Sequence, residues 1–155
     1  MPQRSAGILL YRMTAAGREV FLVHPGGPFW AKKDASAWSI PKGLTDEAED
    51  PLESAKREFL EETGCLPEGN FIPLGDFSSG KIVSAWAVEG DFDPEKFRSN
   101  LFEMEWPSKS GRMQEFPEAD RAGWFGLDEA RAKIVKGQVA ILDALAENLD
   151  SARRD

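Results

Sequence analysis

The pattern of apolar and polar positions divides the chain into strands at both ends of its first half and helices in two places. Ser5 to Arg12 carries Ile8, Leu9, Leu10 and Tyr11 between polar ends and reads as a strand. Glu19 to His24 reads as its neighbour, joined through Met13–Arg18, a connection of hairpin length that contains Gly17. Phe71 to Phe77 and Ile82 to Val88 form a second strand pair around Ser78–Lys81, and Trp124–Phe125 marks one more short strand. Pro25 to Trp38 is a loop of glycine, proline and aromatics, and Asn100 to Glu118 reads as a second long loop. From Asp128 onward a helix is expected, broken at Gly137, with Val139, Leu142, Leu145 and Leu149 on one face. Residues 151–155 read as a frayed tail, so residues 1–150 are expected to make one domain.

The sharpest element is a helix over Pro51 to Thr63. Asp50 suits the N-cap, Pro51 the first helical position, and Glu53 completes an Asp-x-x-Glu start. Gly64 suits a left-handed C-terminal cap. At about 100° per residue, Leu52, Ala55 and Phe59 fall together as the face that packs on a core. Glu58, Glu61 and Glu62 fall on a neighbouring face, where like charges at these spacings destabilise an isolated helix by roughly 0.2–0.5 kcal/mol per pair. Arg57 sits to one side of that face. Three converging carboxylates suit a hard divalent cation, which prefers oxygen ligands. An arbitrary E-x-x-E-E is more often a solvated helix surface, so the surrounding residues decide.

Composition narrows the classes. The chain has 155 residues, room for one real core, and 27 acidic against 19 basic residues give a net charge of −8. That balance disfavours sequence-independent nucleic-acid binding, which needs Lys and Arg on phosphates. No apolar run approaches the roughly 20 residues that span a bilayer, and the patch Ile8–Tyr11 is too short for a secretory signal. Cys65 is alone, so no internal disulfide can form and a reducing, cytoplasmic location is expected. His24 is the only histidine, which removes two-histidine zinc sites and makes a Ser–His–Asp arrangement unattractive. Cys65 occupies an apolar motif position and reads as buried. Gly75–Ile82 matches most of a phosphate-binding P-loop, but Ile82 offers no hydroxyl and a strand follows, so a hairpin turn is the better reading.

Gly43, Glu49, Arg57, Glu58, Glu61, Glu62 and Gly64 stand at the spacing G-x5-E-x7-R-E-U-x-E-E-x-G-U, with Phe59 and Cys65 in the two apolar positions. By average residue usage this match arises at well under roughly one in a million starts. The segment resembles the Nudix box, and cysteine at the last apolar position is a mild departure. The resemblance implies an α/β fold, the Nudix-type α/β/α sandwich with a mixed central sheet, and a Mg²⁺- or Mn²⁺-dependent enzyme. It implies Glu58, Glu61, Glu62 and the Gly43 carbonyl as metal ligands, and Arg57 orienting the cluster by pairing with Glu49. The implied reaction is attack of water on phosphorus. Glu62, Glu58 or a carboxylate from a later loop would be the base, Glu118 first and Glu115 second.

Arg4–Arg12, Trp38–Gly43 and Glu118–Ala130 further resemble asymmetrical dinucleoside tetraphosphate hydrolases. Lys42, beside the metal loop, is placed to meet a phosphate, and Lys81 and Arg4 are weaker candidates. Trp30, Trp38, Trp86, Trp106 and Trp124 are core candidates, any of which could instead stack on a base. The expected partner is a small nucleotide-like diphosphate, with no nucleic acid and no membrane, and a monomer or homodimer is expected. Dinucleoside polyphosphates lead as substrates; nucleoside triphosphates (oxidised ones included), nucleotide sugars and inositol pyrophosphates follow. A Nudix-fold module that binds without hydrolysing is the other class, and the intact set of box carboxylates favours hydrolysis.

Overall fold

Burial of one strand on both faces organises the architecture. In β1 (Arg4–Thr14) every residue from Ser5 to Leu10 is buried, and Tyr11 is 6% exposed. A strand buried on both sides must lie inside a sheet that is covered twice. In the computed structural model, which describes residues 4–79 and 81–154, that is its place. β1 runs parallel to β5 (Lys81–Glu89), with Arg4 opposite Ile82 and Tyr11 opposite Glu89. Its far end forms an antiparallel hairpin with β2 (Gly17–Pro25). Its near end pairs with β3 (Lys42–Leu44). β4 (Ile72–Ser79) and β8 (Ala119–Gly126) complete the order β4-β5-β1-β2-β8, a mixed sheet.

Alternation along β1 distributes two cores. Ala6, Ile8 and Leu10 pack with Phe21, Val23 and Val88 beneath α1 (Pro51–Thr63), which contributes Ala55 and Phe59. Leu9 and Tyr11 pack on the opposite face with Val20, Leu22, Trp38 and Ile40. There they meet α2 (Leu127–Lys133) and α3 (Val139–Arg154) through Ala130, Ile141, Leu142 and Leu145. The result is the expected α/β/α sandwich. Among the described residues no helix is long and apolar enough to cross a membrane.

The helix α1 has the expected bounds: the Asp50 carboxylate accepts from the Glu53 N–H at 3.1 Å, and left-handed Gly64 (φ 78°) donates its N–H to the Leu60 carbonyl. Three expectations are corrected. Residues 100–118 are not an open loop: β6 (Leu101–Glu105) and β7 (Met113–Pro117) pair antiparallel, with Phe102 opposite Phe116. The tail expected to fray is helical through Arg154, because Leu149 packs on the core and Asp150 pairs with Arg18 at 2.7 Å. The C-terminal break begins before Gly137, at Ile134, where the chain turns extended and Val135 donates its N–H to the Trp38 carbonyl. The P-loop-like segment is the β4–β5 hairpin, as its residues suggested; Gly80 within it lies outside the described residues, as do Met1 to Gln3 and Asp155.

Phe59 is fully buried against Phe21, with ring centroids 6.1 Å apart, whereas its neighbour Leu60 is 43% exposed. Phe59→Ala should therefore cost about 3–5 kcal/mol in urea unfolding. Leu60→Ala should cost under about 1 kcal/mol, being largely solvated already. Equal losses in the two variants would contradict the assigned helix face.

Candidate functional site

At one end of the sheet β1 and β2 separate, and the chain from Ser39 to Leu44 is inserted between them. The Ile8 N–H donates to the Pro41 carbonyl, Ser39 bridges Val23, and β3 pairs with Ser5 to Gly7. Lys42 and Gly43 thus sit centrally, facing α1. Because Ala55 and Phe59 are held in the core, the neighbouring helix face carries Glu58, Glu61 and Glu62 toward this segment. The approach is close. A Cβ on Gly43 would collide with the carboxyl carbon of Glu58, so the carboxylate occupies the space of the missing side chain. The Lys42 N–H donates to Glu62 Oε2 at 3.1 Å.

Arg57 is the organiser among the cations. Its Nε and Nη2 donate to the two oxygens of Glu49, both at 3.1 Å, a bidentate fork. Its Nη1 donates to Glu58 at 3.0 Å and to Glu61 at 3.4 Å. Buried Ser54 adds a weak contact to Nη2 that the sequence did not suggest. The pairing lowers the Glu49 carboxyl below its usual range and raises the Arg57 guanidinium.

A fourth carboxylate joins the cluster from the far side. The Glu118 N–H donates to the Asn100 carbonyl at 2.8 Å, its own carbonyl accepts from Gly26, and the Asn100 N–H donates to the Glu61 carbonyl at 2.9 Å. These bonds tie the root of the β6–β7 hairpin to α1. Asn100 is a positioning residue with no signal in the sequence, since it acts through its backbone. Glu115 instead lies opposite Glu103 within the hairpin, and nothing brings it to the cluster.

The crowding is visible in the titration of the groups. Burial pushes the Glu62 carboxyl up to about 8; repulsion from Glu118 and Glu58 adds to this, and the Lys42 N–H and ammonium oppose it. Glu58 is raised by burial and by Glu61, against the pull of Arg57. Glu118 is raised by desolvation and then by Glu61. Carboxylates held together with their charge only partly compensated fit a hard divalent cation, the chemistry the donor set favours. The side chains are not yet closed around one position: among the described residues no three His, Cys, Asp or Glu groups form a ready metal cage. Arg57 draws Glu58 and Glu61 to itself, and Glu62 turns to Lys42.

Lys42 and Lys81 line one cavity of about 510 Å³, walled by Phe77, Val83, Val135, Gly137 and Gln138. Burial lowers the Lys42 ammonium, partly offset by Glu62, and repulsion from Lys81 adds to the lowering. Two cations beside apolar walls can take a phosphate chain and an aromatic ring. Gln138 is fixed there, donating to Ser39 Oγ at 2.9 Å and accepting from the Ile40 N–H. Arg4 is not part of this cavity; it faces Asp76 at 3.7 Å, in a hollow with Pro51 and Trp86. The tryptophans divide: Trp38 is core, Trp86 and Trp124 pack on the α1-side core, and Trp30 is 37% exposed. His24 is buried and structural, between Asp120 and the Lys33 carbonyl. Cys65 is partly buried, which raises its thiol.

The sequence model of one family, NUDIX domain, matches residues 1–145. Comparison with curated proteins found no match. Among solved structures, the binary complex of a C. elegans Ap4A hydrolase is 21% identical, with 96% of this chain and 98% of the other covered at a TM-score of 0.61. A mutT/nudix family protein from Listeria innocua is 18% identical over 98% and 97% of the two chains, at 0.64. The NUDIX domain of Shewanella oneidensis NrtR, complexed with ADP ribose, is 14% identical over 96% and 89%, at 0.61. At these identities the structures speak for the fold, while the family match spans nearly the whole chain and includes every residue of the carboxylate cluster: the chain belongs to the Nudix hydrolase family.

Proposed function

We propose that the chain hydrolyses a diphosphate linkage in a nucleotide-like substrate, a dinucleoside polyphosphate first among the candidates. The observation that carries this is the juxtaposition at one sheet end of four converging carboxylates and a cavity holding Lys42 and Lys81. Glu58, Glu61, Glu62 and the Gly43 carbonyl are the proposed ligands of a divalent cation, Mg²⁺ or Mn²⁺. Such a cation, when bound, neutralises diphosphate charge and activates water. The remaining work falls to the chain's own groups. Lys42 and Lys81 hold phosphate oxygens as point charges. Arg57, clamped by Glu49, sets the position of the Glu58 and Glu61 carboxylates. Glu118 takes the proton from the attacking water: among the described residues its carboxylate accepts no hydrogen bond, whereas Glu58, Glu61 and Glu62 are each engaged. The two-ended substrate is favoured by resemblance to Ap4A hydrolases. The cytoplasm remains the proposed location, on the ground of the single thiol.

The direct test is product-resolved hydrolysis of diadenosine tetraphosphate, nucleoside triphosphates, a nucleotide sugar and an inositol pyrophosphate, with Mg²⁺ and with EDTA. Metal-dependent cleavage, fastest on the dinucleoside compound, is expected. Glu61→Gln and Glu62→Gln keep shape and remove charge, and each should lower turnover at saturating substrate by roughly 10²–10³-fold. Near-normal turnover in both would sink the ligand assignment.

Gly43→Ala separates site from fold. The new methyl group meets only the end of a flexible glutamate, so the melting temperature should move little. The displaced Glu58 carboxylate should lower turnover at least roughly tenfold.

Without metal, Glu62 titrates at about 8 in the folded chain against 4.5 as the reference value. Between these values the folded state holds the extra proton, so its stability is full below 4.5 and falls as pH rises through 8. The metal-free melting temperature should therefore drop between pH 5.5 and 8, and Glu62→Gln should flatten that drop. A rise over the same interval would contradict the burial of this carboxylate.

A further inference from the structure

The β6–β7 hairpin leaves the sheet at the site end and carries aromatic side chains that the core does not use. One of its faces presents Phe102, Met104 and Phe116, with the Phe102 and Phe116 rings 6.1 Å apart. This face packs on the loop after β2, where Phe102 reaches the backbone at Gly27. Farther out, Trp106 meets Phe29 edge to face at 5.5 Å. Phe29 is nevertheless 62% exposed, and neighbouring Trp30 is 37% exposed with the Lys33 ammonium 5.0 Å above its ring. Large aromatics left in water beside a catalytic end mark a binding surface rather than packing. The lysine matters too, because it places positive charge on the outside of an acidic chain.

Position decides the occupant. At the site end the order across the sheet is β5, β1, the inserted segment with Lys42 and Gly43, β2 and β8. The Lys42–Lys81 cavity opens on the β5 side. The Phe29–Trp106 surface lies on the β2–β8 side, where Pro25 pairs with Ala119. At about 4.8 Å per strand spacing, four spacings set the two places roughly 15–20 Å apart, with the carboxylate cluster between them. A substrate with a ring at one end fills only one of them. A substrate whose phosphate chain carries a ring at each end fills both.

We propose that Phe29, Trp30 and Trp106 form a stacking subsite for the second heterocyclic ring of a two-ended polyphosphate substrate, the ring on the far side of the cleaved linkage from the Lys42–Lys81 cavity. Lys33 meets the phosphate next to that ring. This rests on the proposed diphosphate hydrolysis and adds to it the residues that select a two-ended substrate. The loop that carries Phe29 and Trp30 is bonded to the Glu118 carbonyl through the Gly26 N–H, and the hairpin that ends at Trp106 is rooted beside Glu118, so the ring seats on elements tied to the proposed base.

The test compares diadenosine tetraphosphate with adenosine triphosphate for the wild-type chain and for Phe29→Ala, Trp30→Ala and Met113→Ala. Met113 is 61% exposed on the same hairpin but stands opposite Glu105, on its other face. Stacking of one base on an aromatic side chain is worth about five- to a hundredfold in binding. Phe29→Ala and Trp30→Ala should each lower the ratio of kcat/KM for the two-ended over the one-ended substrate by roughly tenfold, through KM, and Met113→Ala should leave that ratio in place. An unchanged ratio in Phe29→Ala and Trp30→Ala overturns the subsite while leaving the hydrolase reading intact. So does a change in sedimentation of these variants without a change in ratio, which would make the surface a self-interface. Absence of metal-dependent cleavage of both substrates by the wild-type chain would instead defeat the underlying reading.

Discussion

The catalytic end depends on one close approach, the Glu58 carboxylate set into the space where residue 43 has no side chain. That contact requires a segment thin enough to pass between β1 and β2 and a helix that cannot back away. The first condition is met by Ser39 to Leu44, which borrows hydrogen bonds from both strands and leaves the Lys42 N–H turned toward Glu62. The second is met by Phe59 and Ala55, fully buried beneath the sheet. Carboxylates that would spread apart on a solvated helix are thereby held against backbone. The helix backbone that carries them cannot draw back without unpacking the core, so only their side-chain ends can shift.

Such a cluster costs stability, and the surrounding charges show how that cost is contained. Arg57 offers one fork to Glu49 and its remaining nitrogen to Glu58 and Glu61, so a single guanidinium spans the loop and one turn of the helix. Glu62 has no such partner and is the most buried in effect, which is why its proton is held to about pH 8. The protonated carboxyl and a divalent cation are alternative answers to the same burial. With Glu62 as the proposed ligand, metal binding and proton release would be linked at this residue, and apparent metal affinity would depend on pH.

How much of this was legible in the sequence follows the range of the interactions. α1 was readable to the residue because its caps, Asp50, Pro51 and Gly64, act within one turn, and its polar and apolar faces follow from helical period alone. The Glu49–Arg57 pair was readable only through the motif, since eight residues of loop and helix separate the partners. The shared cavity of Lys42 and Lys81 was not readable as a cavity. It depends on β1 and β5 lying parallel, a pairing between segments about eighty residues apart that no local pattern encodes. The hairpin at 101–117 was missed for another reason. Its apolar residues alternate over only five positions on each side and are interrupted by a Pro–Ser–Lys–Ser–Gly turn, so strand period and loop composition were superposed. Arg4 was assigned to phosphate by its neighbourhood in the chain, but the strand turns it to Asp76.

The hairpin also bears on how selectivity and chemistry are related in this fold. A binding surface raises the rate of the chemical step only through interactions that strengthen toward the transition state. A ring site on an independent loop would tighten ground-state binding alone. Here the ring site is shared between the loop after β2, which carries Phe29 and Trp30, and the outer end of the β6–β7 ribbon, which carries Trp106, while Glu118 follows the ribbon's root, fixed by the Glu118–Asn100 and Asn100–Glu61 bonds. The two are joined at Gly26, whose N–H donates to the Glu118 carbonyl three residues before Phe29, and through Asn100 to the helix that carries the proposed ligands. Seating the second ring therefore holds the substrate against a base that is already fixed, and its contribution falls on binding. Selection of a two-ended substrate then resides in the loop after β2 and the outer end of the ribbon, and the chemistry at its root, which gives a physical reason for the ribbon to emerge at this point of the chain rather than from the opposite end of the sheet.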